Sequence, residues 1–240
     1  MLIIRSIYFY IYFFISLAFL SRRFTKHKAK KPHMAKDDYE TIVNNEARWW
    51  ANKIIKNSGA KINVIGQENI PDEAVLFVAN HQSGFDIAIF LGCIEKNKGY
   101  ISKPSIFKIP FIKNWMDELR CVSISQTDVR QGAKAILEGI AVLKDGYSMV
   151  IFPEGTRSLD GTMRDFKAGS FKLATKSKVP IVPVTIDGAI NVLGKKDVLV
   201  KPSEVNVTIH PPVYTKDLDR EGEVALPGIV KAAIESGFAK

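Results

Sequence analysis

Six consecutive apolar residues, Ala74-Val75-Leu76-Phe77-Val78-Ala79, run directly into the polar string Asn80-His81-Gln82-Ser83-Gly84-Phe85-Asp86, and a second apolar run, Ile87-Ala88-Ile89-Phe90-Leu91, follows. The first run has the length and β-branched content of a buried strand. A polar loop therefore sits where a strand ends, the position at which open α/β sheets bind ligands and do chemistry. That loop carries a histidine and a carboxylate with four residues between them. On a regular helix His81 and Asp86 would lie about 140° apart, so a pairing requires a turn, which Gly84 permits.

Strand-like and helix-like stretches alternate from Lys61 onward, which favours an α/β layered fold, a central mixed sheet with flanking helices, over a bundle or sandwich. Strands are expected over 61–65, 74–79, 100–102, 121–125, 148–152, 179–186 and 205–209. Helices are expected over 86–94 and 128–144, the latter on a stripe of Val129, Ala133, Ile136, Leu137, Ile140 and Leu143 that reads as core packing. Pro104 and Pro110 break the apolar stretch between them, so two short helices fit there better than one long one. Prolines 180 and 183 point to an edge strand or an irregular strand start.

At 240 residues, 46% apolar and 25% charged, the chain can bury one substantial core. Cys93 and Cys121 provide neither a disulfide framework nor metal-ligand spacing, which fits a reducing, cytosol-facing body. The net charge of +9 is concentrated: Arg5, Arg22, Arg23, Lys26, Lys28, Lys30, Lys31 and Lys36 stand among the first 36 residues without an acidic partner, leaving +1 for the other 204. That distribution excludes a nucleic-acid surface spread over the fold.

Residues Leu2 to Leu20 form an apolar, aromatic-rich stretch of roughly 28 Å as a helix, near the thickness of a bilayer's hydrocarbon core. A spanning anchor, an interfacial helix and a cleaved signal peptide compete for it, and Ser21-Arg22-Arg23 resembles a stop-transfer flank more than a cleavage site. The basic cluster places its side in the cytoplasm and attracts anionic headgroups. A second, amphipathic helix is expected over 37–57, with Asp37 and Asp38 at its cap and Trp49-Trp50 suited to a membrane interface or to the core. Residues 1–57 thus form membrane-associating helices with a basic linker, ahead of an α/β body over 58–240.

Phe152-Pro153-Glu154-Gly155-Thr156-Arg157-Ser158 repeats the setting of the His81 loop, a buried strand running into a polar turn. Arginine suits a phosphate because its planar fork donates two charge-assisted bonds. Lys103 follows another strand, and Lys167 precedes a helix start. Taken singly, Asp86 serves as a helix N-cap as readily as a histidine partner, and Arg157 as a structural cation more readily than a phosphate ligand. His27, His33 and His210 have no evident partner beyond solvent.

Four blocks in order, Asn80 to Asp86, Lys103-Pro104-Ser105-Ile106-Phe107-Lys108-Ile109-Pro110, Phe152 to Ser158, and Val179-Pro180-Ile181-Val182-Pro183-Val184, resemble the glycerolipid acyltransferases. The resemblance implies a glycerol-3-phosphate acyltransferase-like fold. It also implies transfer of a fatty acyl group from a thioester to the sn-2 hydroxyl of 1-acyl-sn-glycerol 3-phosphate, forming phosphatidic acid. It assigns His81 as the base and Asp86 as the group that orients it, with Arg157 and Lys103 holding the acceptor phosphate and Glu154, Gly155 and Thr156 shaping that site. No cofactor or metal is implied; the co-substrate is an acyl-CoA or acyl-carrier-protein thioester. The partners implied are a lysophospholipid, the acyl donor and membrane lipid, at the cytoplasmic side of a cell inner membrane. Another lysolipid, such as a lyso-ornithine lipid, fits the same chemistry, and a noncatalytic lipid-binding protein fits the same scaffold. A nucleophilic Ser83 is disfavoured, since no G-x-S-x-G elbow occurs, and a metal-dependent phosphohydrolase lacks a ligand cluster.

Overall fold

The computed structural model describes residues 1–109, 111–125 and 127–238; Pro110 and Gln126 lie outside them. Helices α1 (Leu2–Lys30) and α2 (Lys36–Ser58) come first. The body follows as β1 (Lys61–Ile65), β2 (Leu76–Ala79), α3 (Phe85–Cys93), β3 (Lys98–Ser102), α4 (Ile112–Glu118), β4 (Val122–Ser123), α5 (Val129–Lys144), β5 (Ser148–Ile151), α6 (Lys172–Ser177), β6 (Ile181–Asp187), α7 (Ala189–Val192), β7 (Glu204–Ile209) and α8 (Arg220–Ser236). Between Pro104 and α4 stands a single 3₁₀ turn, Ile106–Lys108.

The described strands form one mixed sheet in the order β1-β7-β6-β2-β5-β3-β4, parallel throughout except between β6 and β7. The alternation of side chains along β2 explains its unbroken apolar run. Phe77 and Ala79 face one layer with α3, and Leu76 and Val78 face the other with α5, α6 and α8. A strand covered on both faces has no polar side to present. Phe77 meets Phe90 of α3 edge-on with centroids 5.9 Å apart, a geometry worth roughly 0.5–1.5 kcal/mol beyond its buried area.

Three expectations change. The strand at residues 181–187 is interior, between β7 and β2, and not an edge. Its proline is tolerated because the register against its antiparallel neighbour slips there: Ile181 pairs with Val213 but Val184 with Ile209, so the neighbour carries one extra residue opposite Pro183. The core face of α5 is Ala135, Gly139 and Leu143 with Ile136 and Ile140 packed beside them, so the expected stripe holds at Ile136, Ile140 and Leu143, whereas its Val129 and Leu137 are exposed. Gly139 permits this, since a Cβ there would lie 2.6 Å from Leu173 Cδ2. Finally, Asp37 and Asp38 occupy the first turn of α2 without capping it, where they still favour the helix dipole.

Helix α1 is a docked element. Arg5 donates to Ser58 O at 2.8 Å, beside the left-handed Gly59 that ends α2. Ser6 accepts from Val200 N at 2.9 Å. Phe9 packs on Phe85, Phe24 packs on Trp115, and Lys31, just past the helix, pairs with Glu118 at 2.7 Å. The two tryptophans divide their expected roles. Trp50 donates to Ser16 Oγ and packs on Phe13 between the helices, while Trp49 is exposed under the charges of Arg23 and Lys53.

One polar group is costly to this packing. Lys98, 2% exposed at the start of β3, donates to Ile94 O and Lys96 O at 2.8 and 2.9 Å. Burial, with Arg48 adding to it, pushes its ammonium down to about 7. The unfolded chain titrates near ~10.4, so the penalty is complete below pH about 7 and is relieved as pH rises toward 10. Denaturant titrations should show the wild-type protein gaining on the order of 2–4 kcal/mol relative to Lys98→Met between pH 7 and 10; parallel pH profiles would contradict this account.

Candidate active site

Strands β6, β2, β5 and β3 lie side by side and parallel, so their C-terminal ends share one edge. From that edge leave the segment after Asp187, the loop Asn80 to Asp86, the loop Phe152 to Arg157, and Lys103. Sequence separations of more than a hundred residues thus collapse into four neighbouring loops.

His81 Nδ1 lies 2.7 Å from Asp86 Oδ2. The same oxygen accepts from the backbone N–H groups of Gln82 and Ser83, each at 2.9 Å. Asp86 is fully buried at the first turn of α3, yet it reaches back to the loop and does not cap the helix. That turn takes right-handed backbone angles at Gly84, φ −63 and ψ −18, which any residue adopts, so the glycine's conformational freedom is not what the pair needs. A Cβ there would sit 3.6 Å from Arg157 Nη1, an ordinary contact, so neither the angles nor the space require glycine. The guanidinium therefore comes close to the turn that joins histidine to aspartate.

The imidazole is stacked on Phe152 with centroids 4.1 Å apart and planes 19° from parallel. With Nδ1 committed to the carboxylate and one face to the phenyl ring, Nε2 is the nitrogen left without a protein partner among the described residues. The His81 side chain keeps 18% of its surface, enough to meet a substrate. Ser83 has no such freedom. Its hydroxyl is buried, donates to Leu193 O at 2.6 Å and accepts from Phe85 N at 3.0 Å.

Glu154 reaches neither solvent nor an open anion site. One carboxylate oxygen accepts from His81 N at 2.7 Å and the other from Arg164 N at 3.0 Å. Burial raises its pKa, while the two amide bonds and the His81 ring oppose the shift. Ser158 N donates to His81 O at 2.8 Å, so the His81 backbone is gripped on both sides by the neighbouring loop. Gly155 supplies the left-handed angle, φ 71, that turns this loop back. Thr156 and Arg157 follow, half-buried, with Lys195 Nζ donating to Thr156 Oγ1 and to Arg157 O, both at 3.0 Å.

Lys103 is exposed on the same edge, and Lys167 is exposed ahead of the 3₁₀ turn Ala168–Phe171. Two residues that sequence reasoning passed over belong here, Lys195 and Arg164. The ammonium of Lys195 is held below the usual lysine range, by desolvation first and then by Arg164, Arg157, Lys103 and Lys196, so these four cations lie near enough to act on it. A signal for Lys195 existed, since it also follows a strand, but α7 intervenes and hides the connection. Two histidines also have partners that were not expected: His27 lies 3.3 Å from Glu46, and half-buried His210 bonds Thr185 at 2.8 Å.

The family model described as Acyltransferase matches residues 61–187. A 1-acyl-sn-glycerol-3-phosphate acyltransferase of Borreliella burgdorferi is 32% identical over 74% of this chain and 71% of its own. A chloroplastic 1-acyl-sn-glycerol-3-phosphate acyltransferase of Arabidopsis thaliana is 37% identical over 66% of this chain and 45% of its own; the chain spans about half the length of such relatives. The crystal structure of the 1-acyl-sn-glycerophosphate acyltransferase PlsC from Thermotoga maritima superposes with a TM-score of 0.84 at 29% identity, covering 98% of this chain and 94% of that one. The fold is therefore that of PlsC, and the chain belongs to the acyltransferase family.

Proposed function

We propose that the protein transfers a fatty acyl group from an acyl thioester to the sn-2 hydroxyl of 1-acyl-sn-glycerol 3-phosphate, yielding phosphatidic acid. The observation that carries this reading is the His81–Asp86 contact with the Arg157 guanidinium close to Gly84, in the turn between the two. A base and an anion-binding group within one turn suit an acceptor that has both a hydroxyl and a phosphate. Relatives named for this activity support the same reading.

In this mechanism the acceptor hydroxyl attacks the thioester carbonyl while His81 Nε2 takes its proton. Asp86 holds the tautomer that leaves Nε2 free and stabilises the imidazolium that forms. Collapse of the tetrahedral adduct breaks the carbon–sulfur bond, and the imidazolium returns the proton to the departing thiolate. No acyl-enzyme is needed, in keeping with the bound state of the Ser83 hydroxyl. Arg157, assisted by Lys103 from the same sheet edge, holds the phosphate by charge-assisted bonds. Glu154, its oxygens taken by two backbone amides, braces the loops and does not touch the acceptor. The donor is a thioester of coenzyme A or of acyl carrier protein.

The protein works at a membrane surface, which we place at the cytoplasmic side of a cell inner membrane. Leu2–His33 is long and apolar enough to cross a bilayer, but both ends of α1 are fastened to the water-facing body at Ser58 and near Glu118. A helix tied in this way lies along the interface. Its exposed Ile3, Ile7, Tyr8, Ile11, Phe14, Ile15 and Phe19 face lipid, and its basic end faces anionic headgroups.

With purified protein and a thiol-release assay, His81→Ala should lower turnover by about 10²–10⁴-fold while vesicle binding persists; retained turnover would sink the assigned base. Arg157→Ala should raise the acceptor KM about tenfold or more with a smaller change in kcat. Replacing Ile7 and Phe14 together with Asp should release the folded protein from vesicles in flotation assays. Undiminished flotation would place the membrane contact elsewhere.

A further inference from the structure

Four cations, Arg164, Arg157, Lys103 and Lys196, are near enough to act on the ammonium of Lys195, and among the described residues none of the five forms an ion pair. Lys195 differs from the others in being built into the Arg157 loop. Its single ammonium bonds the side chain of Thr156 and the carbonyl of Arg157, each at 3.0 Å, so it spans two consecutive residues of that loop. The segment presenting it is itself held. Leu193 O takes the Ser83 hydroxyl at 2.6 Å, Lys201 N donates to Val192 O at 2.9 Å, and Asp197 N closes onto Gly194 O at 3.2 Å. A rigid strut thus runs from the His81 turn through Leu193 and Lys195 to the backbone of Arg157. An ammonium has three donors; two are used here, and the third has no protein partner among the described residues.

We infer that Lys195 is a positioning residue for Arg157 and, through its own charge, a determinant of the acceptor site's preference for a phosphate monoester over a phosphodiester. The inference rests on the reading of Arg157 as the acceptor-phosphate ligand. A monoester carries about −1.5 to −2 charges near neutrality, with a second pKa near ~6, whereas a phosphodiester carries one. Each cation left without a carboxylate partner therefore favours the monoester more strongly. Removing Lys195 takes away one such charge and loosens the backbone from which the Arg157 fork projects.

The test compares full-length wild type, Lys195→Met, Lys195→Gln, Lys195→Arg and Arg157→Ala in detergent micelles. The acceptor is 1-acylglycerol 3-phosphate, and the methyl phosphodiester of the same lipid serves as a competing ligand. For Lys195→Met and Lys195→Gln the acceptor KM should rise about tenfold with kcat within about threefold, and Lys195→Arg should recover most of the loss. The inhibition constant of the phosphodiester should shift by less than about threefold, so that discrimination narrows. Equal losses for monoester and phosphodiester, a fall in kcat at constant KM, or no rescue by arginine would overturn the inference. If Arg157→Ala raises KM while the Lys195 variants do not, the Lys195 role alone fails. If Arg157→Ala leaves KM unchanged, the phosphate reading fails with it.

Discussion

The site depends on the grip that one loop holds on the backbone of His81. Parallel pairing of β2 with β5 ends at Val78 and Ile151, yet the two chains stay joined for several more residues. Glu154 takes the His81 N–H, Ser158 gives an N–H to the His81 carbonyl, and Glu154 also takes the N–H of Arg164. A buried carboxylate is costly unless its oxygens are satisfied, and here amide donors replace the water it has lost. Because those donors belong to different loops, removing the carboxylate would uncouple them. The Asp86 contact, the Phe152 stack and the placement of Arg157 all presuppose that His81 is already fixed.

The fold was legible in the sequence wherever burial on both faces of the sheet left continuous apolar runs. The strands at 61–65, 74–79, 148–152 and 205–209 were found within two residues at each end. The site was legible to the extent that it follows directly after those strands. His81 and Asp86, and Glu154 to Arg157, stand within a few residues of a strand end. Lys195 and Arg164 do not, and no local pattern reports that four parallel strands bring such distant loops to one edge. Gly84 illustrates a subtler miss. Its position between histidine and aspartate suggested backbone freedom, whereas the angles are ordinary and a side chain there would make only an ordinary contact with an arginine 73 positions later. Pro183 is comparable, since its cost is removed by a register slip on a neighbouring segment that the strand's own sequence does not contain.

The N-terminal helix poses a different question, because hydropathy alone does not distinguish a helix that crosses a bilayer from one that lies on it. Both need a long apolar segment with basic residues at one end. The difference lies in tertiary contacts that fix the ends. Arg5 and Ser6 fasten the start of α1 to the end of α2 and to Val200, and Phe24 and Lys31 fasten its far end to the helix at 112–118. Phe9, Leu17, Leu20 and Phe24 are spent on this docking, and the remaining apolar face is left for lipid.

Charge is divided along the same lines. The body as a whole is nearly neutral, so its total conceals the cations gathered at one edge of the sheet. Desolvation lowers the pKa of Lys195 first, and repulsion by the neighbouring cations adds to it. A stable fold would be expected to neutralise them with nearby carboxylates, yet Glu154, a few residues from Arg157, spends both oxygens on backbone amides. Leaving the cluster unpaired makes sense if an anion completes it. In the proposed function the basic end of α1 draws the protein to an anionic surface over the distance of a Debye length, about 8–10 Å at physiological salt. In the same proposal the edge cluster acts on a single headgroup at contact. Both are needed when the acceptor is itself a component of the membrane.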